Sequence, residues 1–414
     1  MTDQGQTAQK STGFLGWIDA RFPLSKMWKE HLSGYYAPKN LNFWYFFGSL
    51  ALLVLVSQLV TGIWLAMYYK PSAENAFASV EYIMRDVNFG WLLRYLHSTG
   101  ASFFFIVVYL HMFRGIIYGS YQKPRELLWL IGMGIFLLLL MEAFMGYLLP
   151  WGQMSFWGAK VITSLFGAIP FVGEDIVLWI RGDYNISDVV LNRFYALHIV
   201  AIPLAFLLLV WLHIIALHEV GSNNPDGVEI KKKKDESGKP LDGIPFHPYY
   251  TVKDLFGTGV FFILFFAVVF FWPDFGGFFL EPPNFEPANP LKTPEHIAPV
   301  WYMTPYYAIL RAIPDKLLGV CAMLAAVLFF AFLPWLDRSP VKSIRYRGVM
   351  YKAMLSLFVI SFISLGYLGL VPPSPAKTIA AQVFSAIYFA FFILMPIYTK
   401  LDKTKPVPER VTYQ

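Results

Sequence analysis

Residues 195–215 read YALHIVAIPLAFLLLVWLHII, and this stretch decides the architecture. It is uncharged and about as long as a helix crossing the bilayer hydrocarbon, roughly 20 residues. Yet it holds two imidazoles, His198 and His213. An ionisable side chain inside a membrane span is costly and is read by default as functional.

Stretches of the same kind recur near 43–68, 89–113, 127–149, 256–272, 317–336, 350–370 and 379–398. With 192–218 they predict an all-α, polytopic membrane protein of eight transmembrane helices. Composition agrees: 57% of the 414 residues are hydrophobic and 14% charged, a balance soluble domains rarely have. The lone Cys321 excludes a disulfide framework and a cysteine metal cluster, and no CxxCH occurs. The basic pI, near 9.0, does not point to nucleic acid, because the basic residues flank the apolar spans. Residues 1–14 lack the features of a signal peptide, and 13–30 read as a short interfacial helix.

Loop charge orients the spans. The N-terminus, loops 2–3, 4–5 and 6–7, and the C-terminus hold 23 of the 33 Lys and Arg. By the positive-inside rule these segments, both termini included, are cytoplasmic. On the opposite side two long loops, 150–190 and 273–315, carry Pro, Gly and Trp among apolar residues. Loops that long are functional or disordered, and these are too aromatic for disorder. They are expected to form a partly buried cap.

The second span supplies a matching pair of histidines, His97 and His111, fourteen residues apart. Such spacing leaves both imidazoles within roughly 40° of one face and about 21 Å apart along the axis. His198 and His213 are fifteen apart, a step that a proline kink at Pro203 or a one-residue bulge would absorb. Helices two and four both run outside to inside, so the four imidazoles form two depth-matched pairs. Two bis-histidine sites, His97 with His198 and His111 with His213, are what two non-covalent b-type hemes need, the first four helices forming a bundle around them. Gly48 and Gly62 on helix one, and Gly132 and Gly146 on helix three, repeat the fourteen-residue interval. They are expected to let helix backbones approach a flat macrocycle. Arg94, Arg193 and Arg114 flank the histidines as propionate partners, and Ser120 joins them in the cofactor-contacting set.

With these features in place, the sequence resembles the cytochrome b subunit of the quinol:cytochrome c oxidoreductases. The likeness runs through GYLLPWGQMSFWGA (146–159), RFYALH (193–198), LHEVGSNNP (217–225), FHPYYTVKDLFG (246–257) and YAILRAIP (307–314). Eight helices on one chain fit the respiratory type, since the photosynthetic counterpart is split after four. The fifteen-residue step looks more like that counterpart.

The resemblance implies a Q cycle: quinol oxidation at an outer site, electron transfer between a low-potential outer and a high-potential inner heme, and quinone reduction at an inner site. It also implies ubiquinone or ubiquinol as substrate, a Rieske-type iron–sulfur protein and a cytochrome c1-type subunit as partners, and a homodimer of the complex; with no organellar targeting feature, a bacterial inner membrane is the expected location, although a mitochondrially encoded chain would also lack one. Domains are expected at 1–42 (interfacial segment), 43–220 (diheme bundle), 221–255 (cytoplasmic loop), 256–400 (C-terminal helices with the 273–315 loop) and 401–414 (tail). Family positions of the inner site fall on His218, Ser222, Lys253 and Asp254. His218 and Asp254 can supply protons there.

At the outer site the sequence departs from the family. Where relatives have Pro-Glu-Trp-Tyr, residues 299–302 read PVWY, and Val300 cannot accept a quinol proton. Pro299, Trp301 and Tyr302 remain to shape the pocket. Glu142, inside span three, is the expected substitute, with Glu295 the competing one. Two other readings share part of the evidence. A proton-coupled secondary transporter would need internal repeats and broken helices. A diheme membrane anchor of a periplasmic dehydrogenase would lack the 273–315 loop.

Overall fold

A computed structural model describes residues 13–28 and 34–413. The readings made on residues 1–12 and 29–33 lie outside the described residues. Among the described residues, eight helices are long and apolar enough to cross a membrane: Phe43–Ala66, Gly90–Ile117, Glu126–Leu148, Asp188–Val220, Tyr249–Phe271, Lys316–Leu336, Val349–Leu370 and Pro375–Ile393. They are called spans one to eight here. The chain is a multi-pass membrane protein. Its spans are apolar all round, as helices facing lipid must be, and side chains such as Leu204, Leu208 and Trp211 are exposed.

Span five corrects one expected boundary. It starts at Tyr249, so Lys253 and Asp254 sit in its first turns and not in the preceding loop. Apolarity marks only the hydrocarbon-facing part of a helix, whereas backbone hydrogen bonding continues into polar surroundings.

Span one packs on span two, and span three on span four, while span five closes against one and two. Span two is the axis of the first half. In its most apolar stretch 56% of residues are buried, against 11% in span four, so span four is a peripheral rib. The main core, which includes Phe105, Phe136, Ile309, Leu365 and Phe391, runs through both halves without interruption.

The fifteen-residue step is absorbed by a bulge. Residues Leu197–Ala201 form a π-helical turn, closed by the Ile202 amide donating to Leu197 O, five residues back. Pro203 follows at the start of the regular helix. It has no N–H to offer the carbonyl four residues earlier, which favours the wider turn just ahead of it. One residue is thereby taken out of register, and fifteen behaves as fourteen.

The two ends of the bundle differ. At the loop face, the 150–190 and 273–315 loops are stitched together: the Gln153 amide donates to Glu286 O at 3.0 Å, the Ser155 amide to Asn284 Oδ1 at 2.9 Å, and the Ala288 amide to Trp151 O at 3.0 Å. A second core of Leu148, Trp151, Phe156, Val190 and Phe194 lies beneath them. The opposite, basic face carries the terminal segments. There strand β1 (Tyr36–Pro38) pairs antiparallel with β2 (Gly243–Pro245). Buried Asp226 accepts from Asn40, Arg345, Tyr346 and Thr412. Glu229 pairs with Arg125 and Lys342.

Candidate functional site

The four histidines meet as two pairs. His97 and His198 have ring centroids 6.2 Å apart at the loop-face end, and His111 and His213 have centroids 6.3 Å apart at the basic-face end. An imidazole–metal bond of about 2 Å and about 1.1 Å from nitrogen to ring centre put two rings sharing one metal at roughly 6.2 Å. Both pairs match. Among the described residues no third His, Cys, Asp or Glu joins either pair as a metal ligand.

The glycines pair one to one with the histidines. A Cβ at Gly62 would lie 3.1 Å from His97 Cε1, at Gly48 3.3 Å from His111 Cε1, and at Gly132 3.2 Å from His213 Cε1. At Gly146 it would collide with the His198 ring. Each of these glycines lies at the edge of an imidazole. Spans one and three thus close onto the rings carried by two and four, which is why the fourteen-residue interval recurs on all four helices.

At the loop-face pair the Nδ1 atoms have partners. His97 Nδ1 lies 3.0 Å from Thr61 Oγ1, whose own proton goes to Ser57 O. His198 Nδ1 lies 3.1 Å from both the backbone oxygen and Oε1 of Glu142. Acceptors at Nδ1 fix the tautomer that leaves Nε2 free as ligand. At the other pair, Arg114 Nη2 is 3.2 Å from His111 Nδ1, its guanidinium covers the Tyr45 ring, and its buried Nε has no acceptor. A buried cation with an unfilled donor suits an anionic group such as a propionate. Arg193 is exposed and donates to the carbonyls of Trp179 and Ile180. Ser120 Oγ accepts from Asn223 Nδ2 at 3.2 Å.

A small cavity of about 20 Å³ lies at the loop face, its walls including Phe144, Tyr147, Ile162, Pro299, Val300 and Met303. Trp301 donates to Ser102 Oγ at 3.1 Å and stacks on Phe278, while Tyr302 stacks on Phe105 at 3.7 Å between centroids. Neither expected carboxylate is part of this wall. Glu142 is engaged with His198, and Glu295 is exposed on the loop surface. Instead Tyr147 donates to Glu281 Oε2 at 2.5 Å. Sequence reasoning missed both residues. Glu281 was hidden in an apolar loop, FFLEPPNF, 134 positions from its partner, and no local pattern joins the two.

At the basic face, Tyr35 stacks on His218 at 4.7 Å between centroids, and its hydroxyl lies 2.8 Å from Ser222 Oγ. Ser49 donates to Asp254 Oδ1 at 3.2 Å, and Lys253 Nζ lies 4.9 Å from the Tyr250 ring centre. The residues expected for an inner site therefore gather at one end of spans four and five. Tyr35, missed in the sequence, bridges two of them.

Known proteins match throughout. The family model "Cytochrome b/b6/petB" matches residues 32–221, and "Cytochrome b(C-terminal)/b6/petD" matches 287–389. Cytochrome b of Allochromatium vinosum is 62% identical over 411 residues, covering 97% of this chain and 99% of the relative. Cytochrome b of Rhodospirillum rubrum is 50% identical over 399 residues, 96% of each. Among solved structures, a hyperthermophilic respiratory complex III chain superposes with a TM-score of 0.86 at 43% identity, covering 94% of this chain and 99% of that one. Paired intramembrane imidazoles, eight spans and these matches lead to one conclusion: the chain belongs to the cytochrome b family, the membrane core of respiratory quinol:cytochrome c oxidoreductases.

Proposed function

We propose that His97 with His198 and His111 with His213 would hold two b-type hemes, the first pair near the outer face and the second near the inner. The observation that carries this reading is the near-identical ring separation in the two pairs, 6.2 and 6.3 Å. When bound, each heme would supply an iron that exchanges single electrons. The outer heme is the low-potential one and the inner the high-potential one. Thr61 and Glu142 orient the outer rings, and Arg94 and Arg114 serve the propionates.

Quinol is oxidised in the cavity bounded by Pro299, Val300 and Tyr147, with Trp301 and Tyr302 shaping its far side. Quinone is reduced at the basic face. There His218 and Asp254 deliver protons, Ser222 and Tyr35 donate hydrogen bonds to a carbonyl, and Lys253 draws protons from the cytoplasm. The substrate is of the ubiquinone class. A Rieske-type iron–sulfur protein and a cytochrome c1-type subunit complete the complex, which is a homodimer in a bacterial inner membrane with both termini cytoplasmic. The excess of Lys and Arg on the basic face supports that orientation. The diheme unit covers 43–220, and the outer-site loop belongs to 256–400.

The test is a reduced-minus-oxidised spectrum of the purified complex. It should show two b hemes, and replacing His97 or His111 by Asn should each remove one. Retention of both hemes in either variant would refute the ligand assignment.

A further inference from the structure

At the loop face the chain turns between spans seven and eight, and three basic side chains gather on that turn. His296 Nε2 donates to Leu370 O at 2.8 Å, and Lys377 Nζ to Pro372 O at 3.1 Å. Arg311 donates to Leu368 O and, at 3.2 and 3.3 Å, to Val371 O. It comes from the helix Thr304–Ala312, which follows the PVWY segment and packs on both spans. Arg311 and Lys377 line one small recess together with Ala308, Leu368, Thr378 and Ala381.

Capping of span seven accounts for the carbonyl contacts, because the last carbonyls of a helix lack partners within it. It leaves two observations over. The Arg311 guanidinium lies above the Tyr307 ring, 4.8 Å from its centre, and its buried Nε has no acceptor. Among the described residues, moreover, neither Arg311 nor Lys377 is paired with a carboxylate. Lys377 has three N–H groups and commits one of them, to Pro372 O. A face that holds the smaller share of the Lys and Arg thus sets two uncompensated cations around one recess. We infer that Arg311 and Lys377 bind the phosphate of an anionic phospholipid in the loop-face leaflet.

The recess, about 10 Å³, admits one water-sized group. It therefore suits a single phosphate oxygen, the rest of the headgroup staying outside. Its place selects a lipid over phosphate in solution. It lies between the last turn of span seven and the first turns of span eight, the level at which headgroups meet helix ends. Beside it Tyr367, Ile379 and Val383 are exposed on these two spans, and acyl chains can lie along them. Two cations without a carboxylate favour a headgroup of net negative charge over a zwitterionic one. A lipid held here ties the helix that follows PVWY to spans seven and eight.

The assembled complex, stripped of lipid in detergent, is titrated with dioctanoyl phosphatidylglycerol, dioctanoyl phosphatidylcholine or sodium phosphate, and native mass spectrometry counts what binds. Wild type should take up one phosphatidylglycerol per chain that Lys377→Gln binds about fivefold more weakly. Arg311→Gln should weaken it about tenfold. Phosphatidylcholine and inorganic phosphate should leave the site empty. Equal uptake by wild type and Lys377→Gln overturns the inference, and so does phosphatidylcholine binding as tightly as phosphatidylglycerol. Inorganic phosphate displacing the lipid at equal concentration overturns the assignment to a lipid. Should Arg311→Gln fail to assemble, Lys377→Gln decides, because the Lys377 side chain makes a single hydrogen bond, to Pro372 O.

Discussion

Gly146 on span three lies against the imidazole of His198 so closely that a methyl group at its Cα would overlap the ring. The other three glycine–histidine contacts leave 3.1–3.3 Å to such a methyl, a gap that a shift of a few tenths of an ångström would relieve. Gly146→Ala should therefore displace His198 and remove the outer heme, halving the b-type absorbance. The alanine variants of Gly48, Gly62 and Gly132 should keep both hemes. Dithionite-reduced spectra of the four variants check this ranking.

The π-helical turn at Leu197–Ala201 makes a length prediction. Deleting Val200 returns the His198–His213 spacing to fourteen, and a regular helix then keeps both rings in register. Both hemes should remain. Inserting one alanine after Val200 makes the step sixteen, which a single bulge cannot absorb, and one heme should be lost. Heme content per polypeptide measures both outcomes.

Glu142 holds His198 Nδ1 with its carboxylate and with its backbone oxygen, each at 3.1 Å. In Glu142→Gln the backbone contact persists, so the ring stays in place and the heme is retained. The negative charge behind the ligand is gone, which makes the imidazole a weaker donor to oxidised iron. The midpoint potential of one b heme should move upward by tens of millivolts, on the order of 30 mV. A redox titration with unmoved midpoints would contradict this.

The hydroxyl of Tyr35 bridges to Ser222 beside His218. Tyr35→Phe keeps the stacked ring and removes the hydrogen bond, a loss of about 1 kcal/mol. Reduction of quinone at the basic face should weaken several-fold, roughly fivefold, while quinol oxidation at the loop face is unaffected. Inhibitors specific for each face separate the two activities.

Arg125 is buried and makes two hydrogen bonds to Glu229, at 2.6 and 2.9 Å. Burial opposes ionisation of Glu229, but its bonds to Arg125 and Lys342 prevail and hold the carboxyl down at about 2, against an ordinary 4.5. A depressed carboxyl stabilises the fold above its unfolded value and loses that contribution as pH falls. The pair therefore acts in full at neutral pH and fades below about 4.5. Glu229→Gln should destabilise the complex by about 3 kcal/mol, because a buried guanidinium loses its partner. Thermal unfolding in detergent gives the value.

The sequence told most about the spans and the histidines, because both are periodic. Apolar runs and a fourteen-residue interval are local patterns, and helix geometry turns them into depth and facing. Even the irregular step beside Pro203 pointed to a kink or a bulge there. Contacts made by loops were not legible. Tyr147 meets Glu281 across 134 residues, and Tyr35 meets Ser222 across 187; neither partner announces itself by spacing. Glu142 misled for a related reason. A carboxylate within a span signals function, but not whether it faces a substrate cavity or the back of a ligand ring.

The carboxylate of Asp226 gathers partners from the N-terminal segment, the loop between spans six and seven, and the C-terminal tail. Ser343 and Lys342 reinforce it by bonding Pro225 O and Glu229. Residues 231–239, just downstream, are exposed, and their link to the tail, Lys233 with Glu409, is an exposed ion pair apart from Asp226. Peptide continuity between the two halves is therefore mechanically redundant: a protease nicking this stretch would leave two fragments that migrate together until the clamp itself is broken.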